Sequence, residues 1–349
     1  MAETTVFDDT EQETIPFRYA ITSYGADYPV DSLIPRLEKE VLFVPAFQRK
    51  FVWTLKQASR FVESLLLGLP VPGVFLARDE PSAKLFIIDG QQRLRTLQYF
   101  YNGVFRGKEF GLRGVQTRFE GKTYKRLENE DQLRLNDSII HATIVRQDEP
   151  SNDQSSVYHI FERLNTGGTL LHPQEIRACI FHGPFNDLLN ELNENKAWRK
   201  VFGPPSNRLK DQELILRFFA LFFSADKYER PMKNFLNTFM GENRFLKLIP
   251  ADDLHKAFDS AIEIIKQVFS SRAFRPERAL NAAVYDSVMV GIAHRLKRGK
   301  VKKPESLKAA YQMLLEDNEY IASVKTATSD ESSVRNRLKK AIASFSRVS

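Results

Sequence analysis

The chain has 349 residues, of which 42% are hydrophobic and 27% charged, a composition typical of a folded globular protein with a sizeable core. Its one cysteine, Cys179, excludes an internal disulfide framework and a zinc site built from several thiolates. The apolar run at 215–223 is interrupted by Arg217 and too short for a transmembrane helix, and the N-terminus lacks a signal-peptide pattern, so we expect a cytoplasmic protein without membrane contact.

The formal net charge of +7 is unevenly distributed along the chain. The first 17 residues hold five acids and no base, which leaves 51 basic against 39 acidic residues in the remainder, a charge of +12. A body of that charge attracts polyanions, and nucleic acid is the expected polyanion in a cytoplasm. We therefore expect double-stranded DNA as a partner, with a basic but merely solubilising surface as the open alternative.

The N-terminal quarter of the chain carries three readable signals. Residues 1–14 are polar and acidic and predict a disordered tail, and the apolar residues at 41–44 predict a short strand. Thr54 followed by Gln57 is a capping-box pattern, which predicts a helix that ends near residue 67.

The next segment predicts two strands and a sharp turn into a helix. Apolar runs at 74–77 and 85–88 predict the strands, and the second run ends in Asp89-Gly90. Apolar residues at helical spacing follow at once and predict a helix over about 91–101. Glycine permits the turn, and the helix start offers unpaired backbone N–H groups and a dipole that favours an anion. Junctions of this kind are also common without function, so the pattern leaves both interpretations open.

The side chains at this turn suit a nucleotide. Asp89 offers a carboxylate to a metal ion, Arg93 a guanidinium to a phosphate, and Gln91 or Gln92 an amide to a water or a sugar. Neither the Walker pattern G-x-x-x-x-G-K-[ST] nor the dinucleotide pattern G-x-G-x-x-G occurs in the chain. The hypothesis is therefore a nucleotide site of another kind.

The rest of the chain changes from mixed to helical character. Residues 104–137 are charged and glycine-rich, and their sequence is compatible with either a loose hairpin or a loop. Residues 139–145 predict a strand, and residues 147–154 predict a linker-like turn. From about 157 onward the signals are nearly all helical, including a core helix at 215–223 and a helix over 284–296. Turns are expected at Gly167-Gly168, Gly203-Pro204-Pro205 and Arg275-Pro276. The predicted fold class is α+β, with an all-helical second half.

Three segments together resemble one known family. They are Pro-Ala-Phe-Gln-Arg-Lys-Phe-Val-Trp at 45–53, Ile-Asp-Gly-Gln-Gln-Arg at 88–93, and Phe-Glu-Arg-Leu-Asn-Thr-Gly-Gly at 161–168 with Leu170 and Glu175 behind it. In order and spacing they resemble the N-terminal domain family of GmrSD-type, modification-dependent restriction enzymes. The resemblance implies a small mixed α/β domain, related to the ParB and sulfiredoxin group, over residues 15–185, and leaves 186–349 as a helical domain.

The resemblance also implies that the Asp-Gly-Gln-Gln-Arg segment supports hydrolysis of a nucleoside triphosphate with Mg²⁺ in a bacterial system that acts against foreign DNA. Phosphoryl transfer needs charge neutralisation and an oriented water, which two arginines, a carboxylate and a glutamine can supply. Which glutamine orients the water stays open. The implied catalytic residues are Asp89, Gln91, Gln92 and Arg93; the implied nucleotide-binding residues are Gln48, Arg49, Gly90 and Asn165; the implied metal ligand is Asp89.

Two points qualify this set. Asn165 precedes a glycine pair and a capping threonine, so a structural role at the edge of the site is favoured over direct contact. None of the six histidines lies in a pattern typical of a His-Asn-His nuclease, so we expect a partner subunit or effector to cut any nucleic acid. The alternatives are a non-catalytic, nucleotide-dependent DNA clamp or adaptor, a nuclease with an unrecognised acidic site, and a structural subunit with a relic site.

The densest basic segment lies at the end of the helix over 284–296 and in the loop behind it. It predicts a surface that contacts DNA phosphates, and cations that merely stabilise a helix C-terminus are the alternative. The residues concerned are Arg295, Lys297, Arg298, Lys300, Lys302 and Lys303, which Arg335, Arg337, Lys339 and Lys340 are expected to extend.

Overall fold

The computed structural model describes residues 20–44, 51–79, 82–149, 158, 160 and 172–348. The predicted tail at 1–14, Gln48 with Arg49, and the 161–168 segment with Asn165 lie outside these residues. The chain divides into two compact units at residues 170 and 171. The first is built around a sheet and the second is helical, which confirms the α+β fold class.

Five strands of the first unit form one mixed sheet, in the order β1-β7-β3-β4-β2. Strand β1 pairs antiparallel with β7, β7 parallel with β3, β3 antiparallel with β4, and β4 parallel with β2. The three central apolar strands were predicted from the sequence and are confirmed. The strands are β1 (Ala20–Pro29), β2 (Leu42–Phe43), β3 (Val74–Arg78), β4 (Leu85–Asp89) and β7 (Ile139–Glu149).

Strand β1 was not predicted, and its pairing also extends β7 beyond the predicted end. The register joins Ala20 to Glu149 and Pro29 to Ile139, so the backbone of 147–149 is held in the sheet. The predicted turn at 147–154 is therefore wrong over its first three residues. The physical reason is that ladder hydrogen bonds to a distant strand override the local turn preference of polar residues.

Helices accompany the sheet, and four of them lie wholly within the described residues. Helix α2 begins at the predicted capping box: Gln57 N donates to Thr54 Oγ1 (3.3 Å) and Thr54 N donates to Gln57 Oε1 (2.9 Å). The helices are α1 (Val30–Glu38), α2 (Leu55–Leu66), α3 (Gln91–Asn102) and α4 (Asn129–Asp137). Apolar side chains from α1, α2 and α3 and from one face of the sheet pack together in a common core.

The segment at 104–137 combines both alternatives and adds a helix. Strands β5 (Val104–Phe105) and β6 (Lys108–Glu109) form a short hairpin, and a 3₁₀ turn at Tyr124–Arg126 precedes α4. Helix α4 was missed because Leu135 is its only fully buried residue, so its sequence has no apolar periodicity. The hairpin lies next to the end of α3.

The second unit is made of helices around a core that includes the predicted run at 215–223, which is buried in α8 as expected. None of the helices described by the structure is long and apolar enough to cross a membrane. The helices are α5 (Pro173–Ile180), α6 (Pro184–Asn193), α7 (Lys196–Phe202), α8 (Lys210–Ser224), α9 (Met232–Glu242), α10 (Ala251–Phe269), α11 (Ala282–Leu296), α12 (Pro304–Glu316), α13 (Asn318–Lys325) and α14 (Glu331–Ser346).

Candidate functional site

The turn between β4 and α3 depends on a glycine. Gly90 has a φ of +101°, a conformation that other residues rarely adopt. A Cβ atom at this position would lie 2.4 Å from Cγ1 of Val74 on β3, closer than any real contact. The first turn of α3 therefore starts directly against the sheet, with Asp89 on one side of Gly90 and Gln91 on the other.

A register shift in the sheet sets the direction of Asp89. Leu76 of β3 pairs with Ile87, but the next residue, Phe75, pairs with Asp89, so one residue of β4 is skipped. Directly opposed residues of an antiparallel pair share a face, so Asp89 lies on the face of Phe75 and not on the core face of Leu76 and Ile87. Without this register shift, regular alternation along β4 would place the carboxylate of Asp89 over the core.

Arg93 closes the turn from within α3. Its Nη2 donates to Oδ2 of Asp89 (2.7 Å) and to the carbonyl oxygen of Gly73 (3.0 Å). The Asp89 side chain is 51% exposed and that of Arg93 is 16% exposed. Nε of Arg93 is buried without a hydrogen-bond partner, so part of the guanidinium is unsatisfied. The arrangement places opposite charges side by side at a helix N-terminus, with one of them half in solvent.

The two glutamines of the turn have different surroundings. Gln91 is buried, with 8% of its surface exposed. Oε1 of Gln92 accepts hydrogen bonds from the backbone N–H groups of Val52 (3.0 Å) and Trp53 (3.2 Å). Because two donors approach the same atom, the carboxamide of Gln92 has a defined orientation.

The third motif of the resemblance is represented by Glu175. Its Oε2 accepts from the backbone N–H of His172 (2.6 Å) and from Nη1 of Arg208 (3.1 Å). The first contact completes a capping box at the start of α5, so Glu175 has a structural role. Gln48, Arg49 and Asn165 lie outside the described residues and stay predictions.

A comparison with known protein families agrees with the motifs. Residues 32–182 match the family described as GmrSD restriction endonuclease, N-terminal domain. This segment is a GmrSD N-terminal domain. No curated protein matches the chain. The resemblance noted on the three motifs is thereby confirmed, and the matched segment runs from α1 to just beyond α5 and includes the whole turn at 89–93.

The sheet also holds a polar pair that no motif in the sequence indicated. Nδ1 of His141 on β7 lies 2.8 Å from Oδ1 of Asp27 on β1, and both side chains are exposed. The pair lies at the same end of the sheet as the turn, since a Cβ on Gly73 would be 2.8 Å from the carbonyl oxygen of His141. The two residues are 114 positions apart, so no local signal relates them.

One carboxylate in the GmrSD N-terminal domain fits a magnesium ion that also binds phosphates. Mg²⁺ is commonly held by one or two carboxylates together with substrate phosphates and waters. Asp89 meets this requirement because it is half exposed at a helix start. In the part of the chain that the structure describes, no group of three or more His, Cys, Asp or Glu side chains is placed to hold a metal ion.

The predicted basic surface lies outside the GmrSD N-terminal domain, and two of its members need correction. Arg295 is buried, and its guanidinium donates to the carbonyl oxygens of Val348 and Gly299. Arg337 is fully buried and donates to Asp286. Neither guanidinium is therefore on a phosphate-binding surface, because both are buried and donate to acceptors within the protein.

The remaining cations differ in their freedom to bind a phosphate. Lys297 lies over the ring of Phe222 (4.2 Å to the ring centroid), and Lys340 forms ion pairs with Asp317 and Glu319. The other basic side chains of the predicted surface are exposed, as a phosphate-binding surface requires: Lys297, Arg298, Lys300, Lys302, Lys303, Arg335 and Lys339. The basic loop, defined as residues 297–303, is thus the densest exposed cationic segment of the original set.

Proposed function

We propose that this chain binds a nucleoside triphosphate with Mg²⁺ at the 89–93 turn and hydrolyses it, as part of a system that restricts foreign DNA. The observation that carries the proposal is the pairing of a half-exposed carboxylate with a partly unsatisfied guanidinium at the start of α3. Membership of residues 32–182 in a restriction endonuclease domain family supports the setting.

In the proposed chemistry, the ion pair between Asp89 and Arg93 opens, and each side chain binds a group of the ligand instead. Asp89 is the residue that would hold Mg²⁺, which supplies charge neutralisation on the phosphates when bound. Arg93 then loses its carboxylate partner, and its guanidinium gains a phosphate oxygen as acceptor while Gly73 continues to position it. The backbone N–H groups in the first turn of α3 add a favourable dipole for the anion. Opening a half-exposed ion pair costs about 1 kcal/mol or less, so ligand binding readily offsets it.

The test is phosphate release from ATP, GTP and CTP with Mg²⁺, with and without duplex DNA. We expect Arg93→Ala to lower kcat/KM by roughly 100-fold or more, because it removes a donor to developing phosphate charge. Arg113→Ala is the matched control, since Arg113 is an exposed arginine of the same unit whose carboxylate partner, Glu120, is 3.6 Å away. Urea denaturation of both variants confirms folding. Absence of turnover by the wild-type chain with all three nucleotides would refute hydrolysis by this chain.

The basic loop favours a second candidate function, a DNA-binding adaptor in which nucleotide binding changes the DNA affinity. Lys300, Lys302 and Lys303 are exposed and contact no acid among the ion pairs of the described residues. Changing all three to glutamate should weaken duplex binding similarly for unrelated sequences and flatten its salt dependence, because phosphate contacts carry no sequence information. Nucleotide-dependent DNA binding without any turnover would select this function, and an unchanged DNA affinity in the triple variant would reject it.

A further inference from the structure

We infer that Arg106 is a positioning residue for the nucleotide site, and that it acts through the backbone of Phe51–Trp53 on Gln92. The inference rests on the proposed function, because it assigns a role within the same site. Arg106 lies in the turn between β5 and β6, outside every motif of the family resemblance.

The Phe51–Trp53 segment is held on its N–H side by the turn. Val52 N and Trp53 N both donate to Oε1 of Gln92, at 3.0 Å and 3.2 Å. The residues joined are 40 and 39 positions apart, so these bonds connect the segment before α2 to the first turn of α3. An amide oxygen with two lone pairs is filled by two such donors.

The same segment is held on its carbonyl side by Arg106. Nη2 of Arg106 donates to the carbonyl oxygen of Phe51 (2.9 Å) and approaches that of Trp53 (3.4 Å). The guanidinium also lies 6.0 Å from the ring centroid of Phe51 and 5.7 Å from that of Phe105, within the range of cation–π attraction. These contacts hold the long side chain of Arg106 in one conformation and align it with the backbone.

Aromatic packing joins this segment to α3 as well. The ring of Phe51 meets those of Tyr99 (5.1 Å between centroids) and Phe105 (5.6 Å) edge to face. Tyr99 belongs to α3 and Phe105 to β5, so the three rings connect the segment, the helix and the hairpin. Removal of the Arg106 guanidinium is thus expected to loosen the polar contacts while the aromatic contacts keep the unit folded.

The consequence for chemistry concerns the direction of Gln92. Because its Oε1 is filled by two backbone donors, Gln92 offers a ligand only the N–H groups of Nε2. Gln92 therefore donates to an oxygen of the nucleotide and does not accept a hydrogen bond from the attacking water. Arg106 keeps this orientation, since the N–H groups of Val52 and Trp53 face Gln92 only while their segment is held in place.

The experiment is a double-mutant cycle on steady-state hydrolysis, with wild type, Arg106→Ala, Gln92→Ala and the double variant. We expect each single change to lower kcat about tenfold, the equivalent of about one to two hydrogen bonds, and the double variant to be no slower than Gln92→Ala. Arg126→Ala is the matched control: Arg126 is an exposed arginine near the same hairpin, 3.7 Å from Glu109, and its removal should leave kcat unchanged. If the two effects multiply in the double variant, Arg106 and Gln92 act independently, and the inference that Arg106 acts through Gln92 is wrong.

A second variant separates the two functions of Gln92. Gln92→Glu retains an acceptor for Val52 N and Trp53 N but removes the N–H donors. Amide hydrogen exchange at Val52 and Trp53 should accelerate in Arg106→Ala and Gln92→Ala and stay slow in Gln92→Glu, although Gln92→Glu loses turnover. Retention of full turnover by Gln92→Glu would overturn the donor role.

Two further outcomes separate this inference from the proposed function. Faster exchange at Val52 and Trp53 in Arg106→Ala with unchanged kcat and KM would make Arg106 purely structural, and the hydrolase would stand. Absence of turnover by wild type, together with no change in exchange on addition of Mg²⁺ and nucleotide, would reject the proposed function and with it the inference.

Discussion

Each of the two units contains a close contact between an aspartate and an arginine, and the two contacts differ in their exposure to solvent. In the sheet unit, Asp89 and Arg93 are 2.7 Å apart and the carboxylate is half exposed. In the helical unit, Asp286 on α11 is 2.6 Å from Arg217 and 3.0 Å from Arg337, and it is completely buried. The ion-pair distances are therefore similar in both places, whereas burial and the number of guanidinium groups differ.

Burial decides what such a pair can do. Burial lowers the pKa of Arg337, as does the charge of Arg217, and Asp286 opposes the shift without cancelling it. One carboxylate thus compensates two guanidinium groups, and removal of that carboxylate leaves buried positive charge. Opening the exposed pair costs little, so a ligand could replace either partner, whereas the buried pair opens only when the unit unfolds. Function is expected at the first pair and stability at the second.

The largest expected effect is that of Asp286→Asn. The change leaves Arg337 without its carboxylate partner and Arg217 without the carboxylate that it hydrogen-bonds, and we expect a loss of about 3–5 kcal/mol in the free energy of unfolding. Asp89→Asn is the comparison, with an expected loss of about 1 kcal/mol or less because solvent screens the pair. Urea denaturation measures both, and equal losses would show that burial does not distinguish the two pairs.

Two glycines, one in each unit, differ in the space around their Cα atoms. Both Gly90 and Gly299 have positive φ angles, +101° and +110°, but only Gly90 has atoms of Val74 where a side chain would be. Gly90→Ala should cost about 3 kcal/mol or more, from backbone strain and overpacking together. Gly299→Ala should cost about 1–2 kcal/mol from strain alone. Thermal or urea unfolding distinguishes them, and a smaller loss at Gly90 would contradict the close approach.

Conservative changes of the two arginines should separate activity from stability. Arg337→Lys loses donors to Asp286 and to the carbonyl oxygen of Thr328, and we expect about 2–3 kcal/mol of destabilisation. Arg93→Lys should change stability by about 1 kcal/mol or less and yet lower kcat/KM for the nucleotide by roughly tenfold or more, since an ammonium is a point charge without the guanidinium fork. Full activity of Arg93→Lys in a phosphate-release assay would argue against a role for the guanidinium geometry of Arg93 in phosphate binding.

The smallest expected effect is a pH dependence near the basic loop. Burial, and then the charge of Lys297, lower the pKa of His294 below its ordinary value. The unfolded chain therefore binds the proton first, and the stabilisation present above about pH 6.5 is lost as the pH falls toward the lowered pKa. Comparison of unfolding free energies at pH 7.5 and 5.5 should show a smaller acid loss in Lys297→Ala than in wild type. An equal acid loss in both would rule out Lys297 as a cause.

Local signals in the sequence were sufficient for several parts of the fold. The capping box of Thr54 and Gln57 defined the start of α2, and the apolar run before Asp89-Gly90 defined β4, the turn and α3. These features depend on residues within a few positions of one another, so their physics is present in the local sequence. Strand β1 and helix α4 escaped prediction because a distant partner stabilises the first and a single buried leucine anchors the second.

The features of the site also divide into those that follow from nearby residues and those that depend on residues far apart in the chain. Local sequence was enough to show that a carboxylate, two glutamines and an arginine flank a glycine turn, and the family of residues 32–182 was recognisable from motifs alone. Three outcomes became visible only in the folded chain: Asp89 turns away from the core, Gln92 accepts from Val52 and Trp53, and Arg295 and Arg337 are buried. These outcomes rest on register and on contacts between residues far apart in the chain, which residue type and spacing do not encode.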